Sequence, residues 1–265
     1  MHWSERMPRR MRARQPSDST RSGQAFLAIL AGRAVRFGAP SVLLFAAAAF
    51  ALVPQLSAQD RNTAGPRFVV VLDAAHGGDD AGARLSDNQT EKTYTLALSV
   101  RLRSLLMARG ISVVTTREAD TTVAADRRAE IANHASAQAC LSLHASESGS
   151  GVHLFVSSLA PVEGARFLPW KTAQAAWVLR SLSLAGVVNS ALGHAGMSVT
   201  LGRTALPAID SMACPAVVVE VAPERGVNTK GSEGLDDPNY QARLAEALAA
   251  ALVEWRQDAM GGRQP

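Results

Sequence analysis

One stretch constrains the fold more than any other, residues 68–91, which read FVVVLDAAHGGDDAGARLSDNQTE. Its first five residues are apolar and rich in β-branched side chains, which predicts a short buried strand. Asp73 and His76 follow at the end of this strand, and nearby glycines then allow the backbone to turn sharply. Glu91 opens an amphipathic helix. Because open α/β sheets place their ligand sites at the carboxyl ends of strands, this stretch predicts a functional site.

Two later strands are also predicted to end in a polar residue. Residues 139–144 read ACLSLH and end in His144, whereas residues 216–220 read AVVVE and end in Glu220. If the strands run parallel, their carboxyl ends meet at one edge of the sheet. Three strands that each carry a polar group to that edge predict that these groups lie close together.

The alternation of strands and helices predicts an α/β fold, a single domain with a mostly parallel twisted sheet and helices on both faces. In the first helix, apolar residues at helical spacing form one stripe, and Gly110 is expected to end it. The predicted strands are 68–73, 111–115, 140–143, 151–156 and 216–221, and the predicted helices are 91–109, 123–134, 171–192 and 240–255.

The first 66 residues differ in composition from the rest. We expect an Arg-rich leader with a signal peptide at 1–58, a linker at 59–66, a folded domain at 67–257 and a tail at 258–265. The apolar run Val42–Val53 has twelve residues, which suits a signal peptide and falls short of the ~20 needed to span a bilayer. We therefore expect export to the periplasm or outside the cell, with an uncleaved membrane anchor as the alternative.

The charge distribution argues against nucleic-acid binding. Eight of the 27 basic residues lie in residues 1–58, where there are only two acidic ones, so 19 basic and 21 acidic residues remain in the other 207. The net charge of +4 therefore comes from the leader. A folded domain with this balance lacks the basic patch expected of a nucleic-acid binder.

Six short motifs occur in a characteristic order: LDAAHGG, TEK, TTREAD, RAEIAN, SLHAS and PAVVVE. As a set they resemble the type 3 family of zinc-dependent N-acetylmuramoyl-L-alanine amidases, which trim bacterial peptidoglycan. The resemblance covers roughly residues 67–255 and is specific only as a set. It implies hydrolysis of the amide between N-acetylmuramic acid and L-alanine, on peptidoglycan or a muropeptide, by a monomer. Whether a protein activator exists is left open.

The resemblance implies one Zn²⁺ per chain, with His76, Glu91 and His144 as its ligands. These are donors that zinc prefers, and three ligands leave a position open for catalysis. The alternative is that each residue serves the fold alone: a turn cap, a first-turn helix acid and a core histidine.

In the same resemblance Glu220 is the catalytic general base. A carboxylate at the end of an apolar strand is costly to bury without a task or a partner. The alternative is a structural ion pair with Arg225 or Arg117.

Other polar residues near the site have a structural or an indirect role. Asp73 is either a hydrogen-bond acceptor for the ring of a ligand histidine or a solvated residue at the strand end. Arg117 and Arg128 match family positions, and we expect structural pairing rather than contact with substrate. The family's usual Pro-Gly before the first ligand is Ala74-Ala75 here.

The two cysteines, Cys140 and Cys214, each precede a strand that ends in a site residue, so we expect both at the opposite edge of the sheet. An exported protein with an even cysteine count favours a disulfide. We nevertheless expect two separate buried thiols.

Two competing functions remain. One is another zinc amidohydrolase or carboxypeptidase that acts on the stem peptide of peptidoglycan. The other is a wall-binding module without activity, although retention of all four site groups argues against it.

Overall fold

The computed structural model describes residues 67–86, 88–164, 167–225 and 233–261, without the side chains of the last two. The predicted leader, with its signal peptide, and the predicted linker lie outside the described residues, as do residues 262–265 of the predicted tail.

The centre of the fold is a six-stranded sheet with the order β2-β1-β3-β6-β4-β5. Every neighbouring pair is parallel except β4 and β6, which are antiparallel. The mostly parallel α/β fold is therefore confirmed. The strands are β1 Val69–Ala74, β2 Ser112–Thr115, β3 Ala139–Ala145, β4 Val152–Ser157, β5 Val199–Thr204 and β6 Ala216–Val221.

Helices cover both faces of this sheet, as predicted. They are α1 Glu91–Ala108, α2 Ala125–His134, α3 Val178–His194, α4 Pro207–Asp210 and α5 Pro238–Gly261, with a 3-10 helix at Trp170–Ala176. The larger core packs α1, α3 and α5 against one face, where Leu72, Leu102 and Leu248 are fully buried. The smaller core packs α2 and α4 against the other face. Both cores hold the strand ends in place.

Several element boundaries differ from the predicted ones. The predicted helix 171–192 begins as a 3-10 helix, because Thr172 has non-helical backbone angles, and continues as α3. Strand β5 and the short helix α4 were not predicted. Most residues of β5 are exposed, so the strand lacks the buried alternating face that would indicate it. The end of α1 is as predicted, since Gly110 has a φ of 72°.

The two cysteines form a disulfide, so the expectation of two separate thiols was wrong. Cys140 is in register with Ala216 on β6, and its N–H donates to the carbonyl of Pro215 at 2.8 Å. This pairing brings Cys214 beside β3, with 6.4 Å between the two Cα atoms. Because β3 and β6 run parallel, the disulfide lies at the opposite edge from the strand ends, as expected.

Within the described residues, no single helix is long and apolar enough to cross a membrane. The 3-10 helix and α3 meet the length and composition criteria only together, and they are bent by 65°.

Candidate metal centre and active site

Three of the predicted site residues converge at the carboxyl edge of the sheet. His76 lies in the loop after β1, Glu91 is the first residue of α1, and His144 lies near the end of β3. Each offers one ligand atom, and these atoms all lie within 4.8 Å of one another. Glu91 stands between the two rings: its Oε2 is 3.1 Å from Nε2 of His76, and its Oε1 is 2.8 Å from Nδ1 of His144.

The carboxylate of Glu91 is buried and held by the backbone. Its Oε2 accepts the N–H of Ala83 at 2.9 Å, and its Oε1 accepts the N–H of Ala145 at 3.2 Å. Burial by itself raises the pKa of this carboxyl. The hydrogen bonds with His144 and with Ala83 outweigh burial, so that the pKa of Glu91 is lowered. Glu91 is therefore a charged group in a protected position.

A residue that the sequence analysis did not single out orients His76. Asp80 lies 2.8 Å from Nδ1 of His76, and this hydrogen bond is the main reason why the pKa of Asp80 is lowered. An ionised carboxylate only accepts hydrogen bonds, so Nδ1 of His76 carries the proton. The lone pair of Nε2 then faces Glu91, which is the arrangement of a histidine prepared for a metal. An acid four residues after His76, in a glycine-rich loop, was the available signal.

Glycine at position 82 is required by the same loop. Gly82 has a φ of 65° and lies directly against two of the three candidate ligands. A Cβ there would stand 2.6 Å from Cδ2 of His76 and 2.7 Å from Oε2 of Glu91. The loop can close over these side chains only because no side chain is present at this position.

Asp73 does not contact the ring of either histidine. Its Oδ1 accepts hydrogen bonds from Thr116 at 2.7 Å and from Arg128 at 2.6 Å, and its Oδ2 accepts one from Ser142 at 2.8 Å. The carboxylate is buried, so it is not the solvated strand-end residue of the alternative either. Asp73 instead ties β1 to β2, β3 and α2 directly beneath the site.

The two arginines act on the site through the backbone. Arg117 donates to the carbonyl of Ala74 at 2.9 Å and to that of Ala75 at 3.0 Å. Arg128 donates to the carbonyl of Ala74 at 2.6 Å and to that of His76 at 2.7 Å. These bonds fix the turn that precedes His76, whose φ of 59° is unusual for a residue other than glycine. The structural role expected for both arginines agrees with these contacts.

Glu220 lies beside His144 at the carboxyl edge of the sheet. The two residues are paired in the register of β3 and β6, so their side chains are on the same face of the sheet. Among the described residues, the half-buried Glu220 side chain makes no hydrogen bond or ion pair. The guanidinium of Arg225 donates to the carbonyl of Glu147, and that of Arg117 is taken up by the turn before His76. The contacts thus give no support to the ion-pair alternative for Glu220.

The chemistry of this donor set fits a metal ion. Two imidazole nitrogens and one carboxylate are ligands that zinc prefers, in the number used by catalytic zinc sites. The remaining polar atoms of His76 and Glu91 are occupied by Asp80 and by backbone N–H groups, as is usual around metal ligands. The cluster could therefore hold one ion, with Glu220 beside it.

Comparison with known proteins identifies the family. A model of the N-acetylmuramoyl-L-alanine amidase family Amidase_3 matches residues 70–254. The chain is 41% identical over 81 residues to the amidase AmiA of Escherichia coli, an overlap of 31% of this chain and 28% of that protein. It is 28% identical over 232 residues to an N-acetylmuramoyl-L-alanine amidase of Mycobacterium tuberculosis, which covers 78% of this chain and 93% of that one.

The fold matches a solved amidase structure. The catalytic domain of CwlV, an N-acetylmuramoyl-L-alanine amidase from Bacillus (Paenibacillus) polymyxa, superimposes with a TM-score of 0.56 and 25% identity, and the match covers 72% of this chain and 98% of that one. The chain spans less than a third of the length of the E. coli relative. The family match nevertheless extends over well over half of the 265 residues. On this basis the chain belongs to the Amidase_3 family of N-acetylmuramoyl-L-alanine amidases.

Proposed function

We propose that this chain hydrolyses the amide bond between N-acetylmuramic acid and L-alanine in peptidoglycan, with one zinc ion held by His76, Glu91 and His144. The observation that carries the proposal is the convergence of three donors within 4.8 Å beside the carboxylate of Glu220, which has no partner in the described part of the chain. Membership of the amidase family supports the choice of bond.

The residues of the chain prepare the site for this reaction. Zinc would supply Lewis acidity, which makes water a better nucleophile near neutral pH and polarises a carbonyl. Asp80 holds the ring of His76 with its Nε2 lone pair towards the cluster, and the backbone N–H groups of Ala83 and Ala145 hold the carboxylate of Glu91. With three protein ligands, one position is left open for the reactants.

Glu220 is the proposed general base. Its neighbour across the sheet is His144, and paired strands lie about 4.8 Å apart, so its carboxylate can reach a water molecule at the open position. Glu220 takes the proton from that water and then gives it to the nitrogen of the leaving alanine. A carboxylate already paired with an arginine would be a poor base, and Glu220 has no such pair among the described residues.

Mass spectrometry of the products formed from a purified muropeptide identifies which bond is cleaved. The proposal predicts N-acetylmuramic acid with a free lactyl carboxyl group and a stem peptide that begins with L-alanine, with the activity lost on chelation. Release of a residue from the carboxyl end of the stem peptide would favour the carboxypeptidase alternative. No product at all, from a protein that contains zinc, would favour the wall-binding module.

The metal ligands are tested by elemental analysis. Wild-type protein should contain about one zinc per chain, because a site with three ligands holds one ion. His144→Ala should lose it. His194→Ala is the matched control and should retain the metal, because among the residues that the structure covers the ring of His194 bonds only within α3. Full zinc occupancy in His144→Ala would remove His144 from the site.

We also propose that the protein is exported and works as a monomer on peptidoglycan or soluble muropeptides. The apolar run Val42–Val53 supports export, as does the disulfide, since disulfides persist mainly in oxidising compartments. Sequencing of the native protein should find an amino terminus near Gln59. A retained Met1 in the membrane fraction would favour the anchor instead.

A further inference from the structure

A row of polar side chains continues beyond the metal centre across the sheet. Glu220 on β6 is in register with His144 on one side and with His153 on β4 on the other. His153 is in turn in register with Thr200 on β5. Paired residues lie on the same face of a sheet, so these four side chains form a line over four adjacent strands.

His153 is held in this row through one ring nitrogen. Its Nδ1 lies 2.6 Å from the hydroxyl oxygen of Thr200. No hydrogen bond to its Nε2 occurs among the described residues. Gly149 stands next to this nitrogen with a φ of 90°, and a Cβ there would lie 2.5 Å from Nε2. Any side chain at position 149 would therefore collide with Nε2, and glycine avoids this collision.

We propose that His153, positioned by Thr200, binds the stem peptide of the substrate through a hydrogen bond from its Nε2. This inference rests on the proposed function. In this proposal the hydroxyl of Thr200, 2.6 Å from Nδ1, is the donor of that hydrogen bond. The proton of the imidazole is then on Nε2, which can donate to an oxygen of the substrate.

The peptide side of the substrate, rather than the sugar side, lies over His153. Glu220 gives its proton to the nitrogen of the leaving alanine, so the peptide leaves the metal centre on the side of Glu220. Along the row, His153 is one strand farther from the metal centre than Glu220. A peptide that continues along the row from Glu220 therefore passes His153.

The distance from His144 to His153 indicates that His153 contacts the second residue of the stem peptide. Two strand spacings of about 4.8 Å place His153 about 10 Å from His144 along the row. Two residues of extended chain reach about 7 Å, and a hydrogen bond adds about 3 Å. The second residue is an isoglutamate-type residue, whose α-carboxyl group lies outside the peptide chain as a free acid or an amide. That group offers an oxygen acceptor at about the required distance.

The test compares two soluble substrates that differ only in this residue, N-acetylmuramoyl-L-alanine and N-acetylmuramoyl-L-alanyl-D-isoglutamate. A hydrogen bond to a charged group predicts that His153→Ala lowers kcat/KM on the second substrate by about 10- to 100-fold, mainly through KM. On the first substrate the loss should be under about threefold, since the contact is absent. Thr200→Val should show the same selectivity with a smaller loss, and His194→Ala should show neither.

Binding is measured separately from turnover, by calorimetry with both compounds in a Glu220→Gln background. The added His153→Ala change should weaken only the binding of the isoglutamate compound. Equal weakening of both compounds, or of neither, overturns the inference. If the wild-type protein cleaves neither compound nor a larger muropeptide, the proposed function fails instead, and the calorimetry still decides the role of His153.

Discussion

Gly82 packs directly against two of the candidate ligands, and Gly82→Ala tests this contact. Two effects add in this variant. An L-residue with a φ of 65° costs about 1–2 kcal/mol in backbone strain. The new methyl group would also stand 2.6 Å from His76 and 2.7 Å from Glu91, and such overpacking costs about 1–3 kcal/mol. The expected loss of folding free energy is therefore about 2–5 kcal/mol.

A second glycine separates these two effects. Gly196 follows α3 with a φ of 77°, and a Cβ there would have no neighbour within 4 Å. Gly196→Ala should show the backbone strain alone, a loss of about 1–2 kcal/mol. The difference between the two variants then measures the contact of residue 82 with the candidate ligands.

Urea unfolding in the presence of a chelator measures both stabilities without any contribution from metal. Zinc affinity is measured by titration against a competing chelator. Gly82→Ala should bind zinc about 10- to 100-fold more weakly, because the new methyl group displaces the side chains of His76 and Glu91. Gly196→Ala should bind zinc with wild-type affinity. If Gly82→Ala matches Gly196→Ala in both stability and zinc affinity, the packing argument for this loop is wrong.

Three further predictions concern residues around the site. Asp80→Ala should keep the fold but weaken zinc binding about 10- to 100-fold in the same chelator titration, because His76 loses the acceptor that orients it; unchanged affinity would contradict this role. Asp73→Asn leaves the buried Arg128 without its charge partner and should lower the free energy of unfolding, measured in urea, by about 3–5 kcal/mol. A loss under about 1 kcal/mol would show that backbone carbonyl groups are sufficient partners for Arg128. The double variant Cys140→Ala, Cys214→Ala removes the disulfide that closes a loop of 74 residues, and it should lower the free energy of unfolding by about 2–5 kcal/mol. Its zinc content should not change, because the disulfide lies at the opposite edge of the sheet from the site, and loss of zinc would contradict that separation.

Much of the fold could be predicted because its signals are local. The apolar run at 68–72 gave the buried strand β1, and the helical stripe after Glu91 gave α1. Three polar residues at strand or helix ends could be grouped because parallel strands share one carboxyl edge. That geometric rule predicted that the groups lie close together, and the family resemblance supplied His76, Glu91 and His144 as the ligand set.

The remaining features depend on long-range register, which local patterns do not contain. The disulfide requires that β3 and β6 be neighbours, with Cys140 opposite Ala216. The contact of Asp80 with His76 requires the left-handed turn that arginines far along the chain hold in place. Strand β5 is an edge strand with mostly exposed side chains, so it has no hydrophobic pattern to detect.

The central claim is that Glu220 performs proton transfer and that the other three groups hold the metal. Glu220→Gln keeps the size of the side chain but removes its ability to accept the proton of water. Zinc content and the rate of amide cleavage are measured on the same preparation. The Glu220→Gln protein should contain zinc at the wild-type level and cleave at least about 100-fold more slowly. Loss of zinc from a folded Glu220→Gln protein would make Glu220 a ligand, and cleavage at the wild-type rate would place the general base elsewhere.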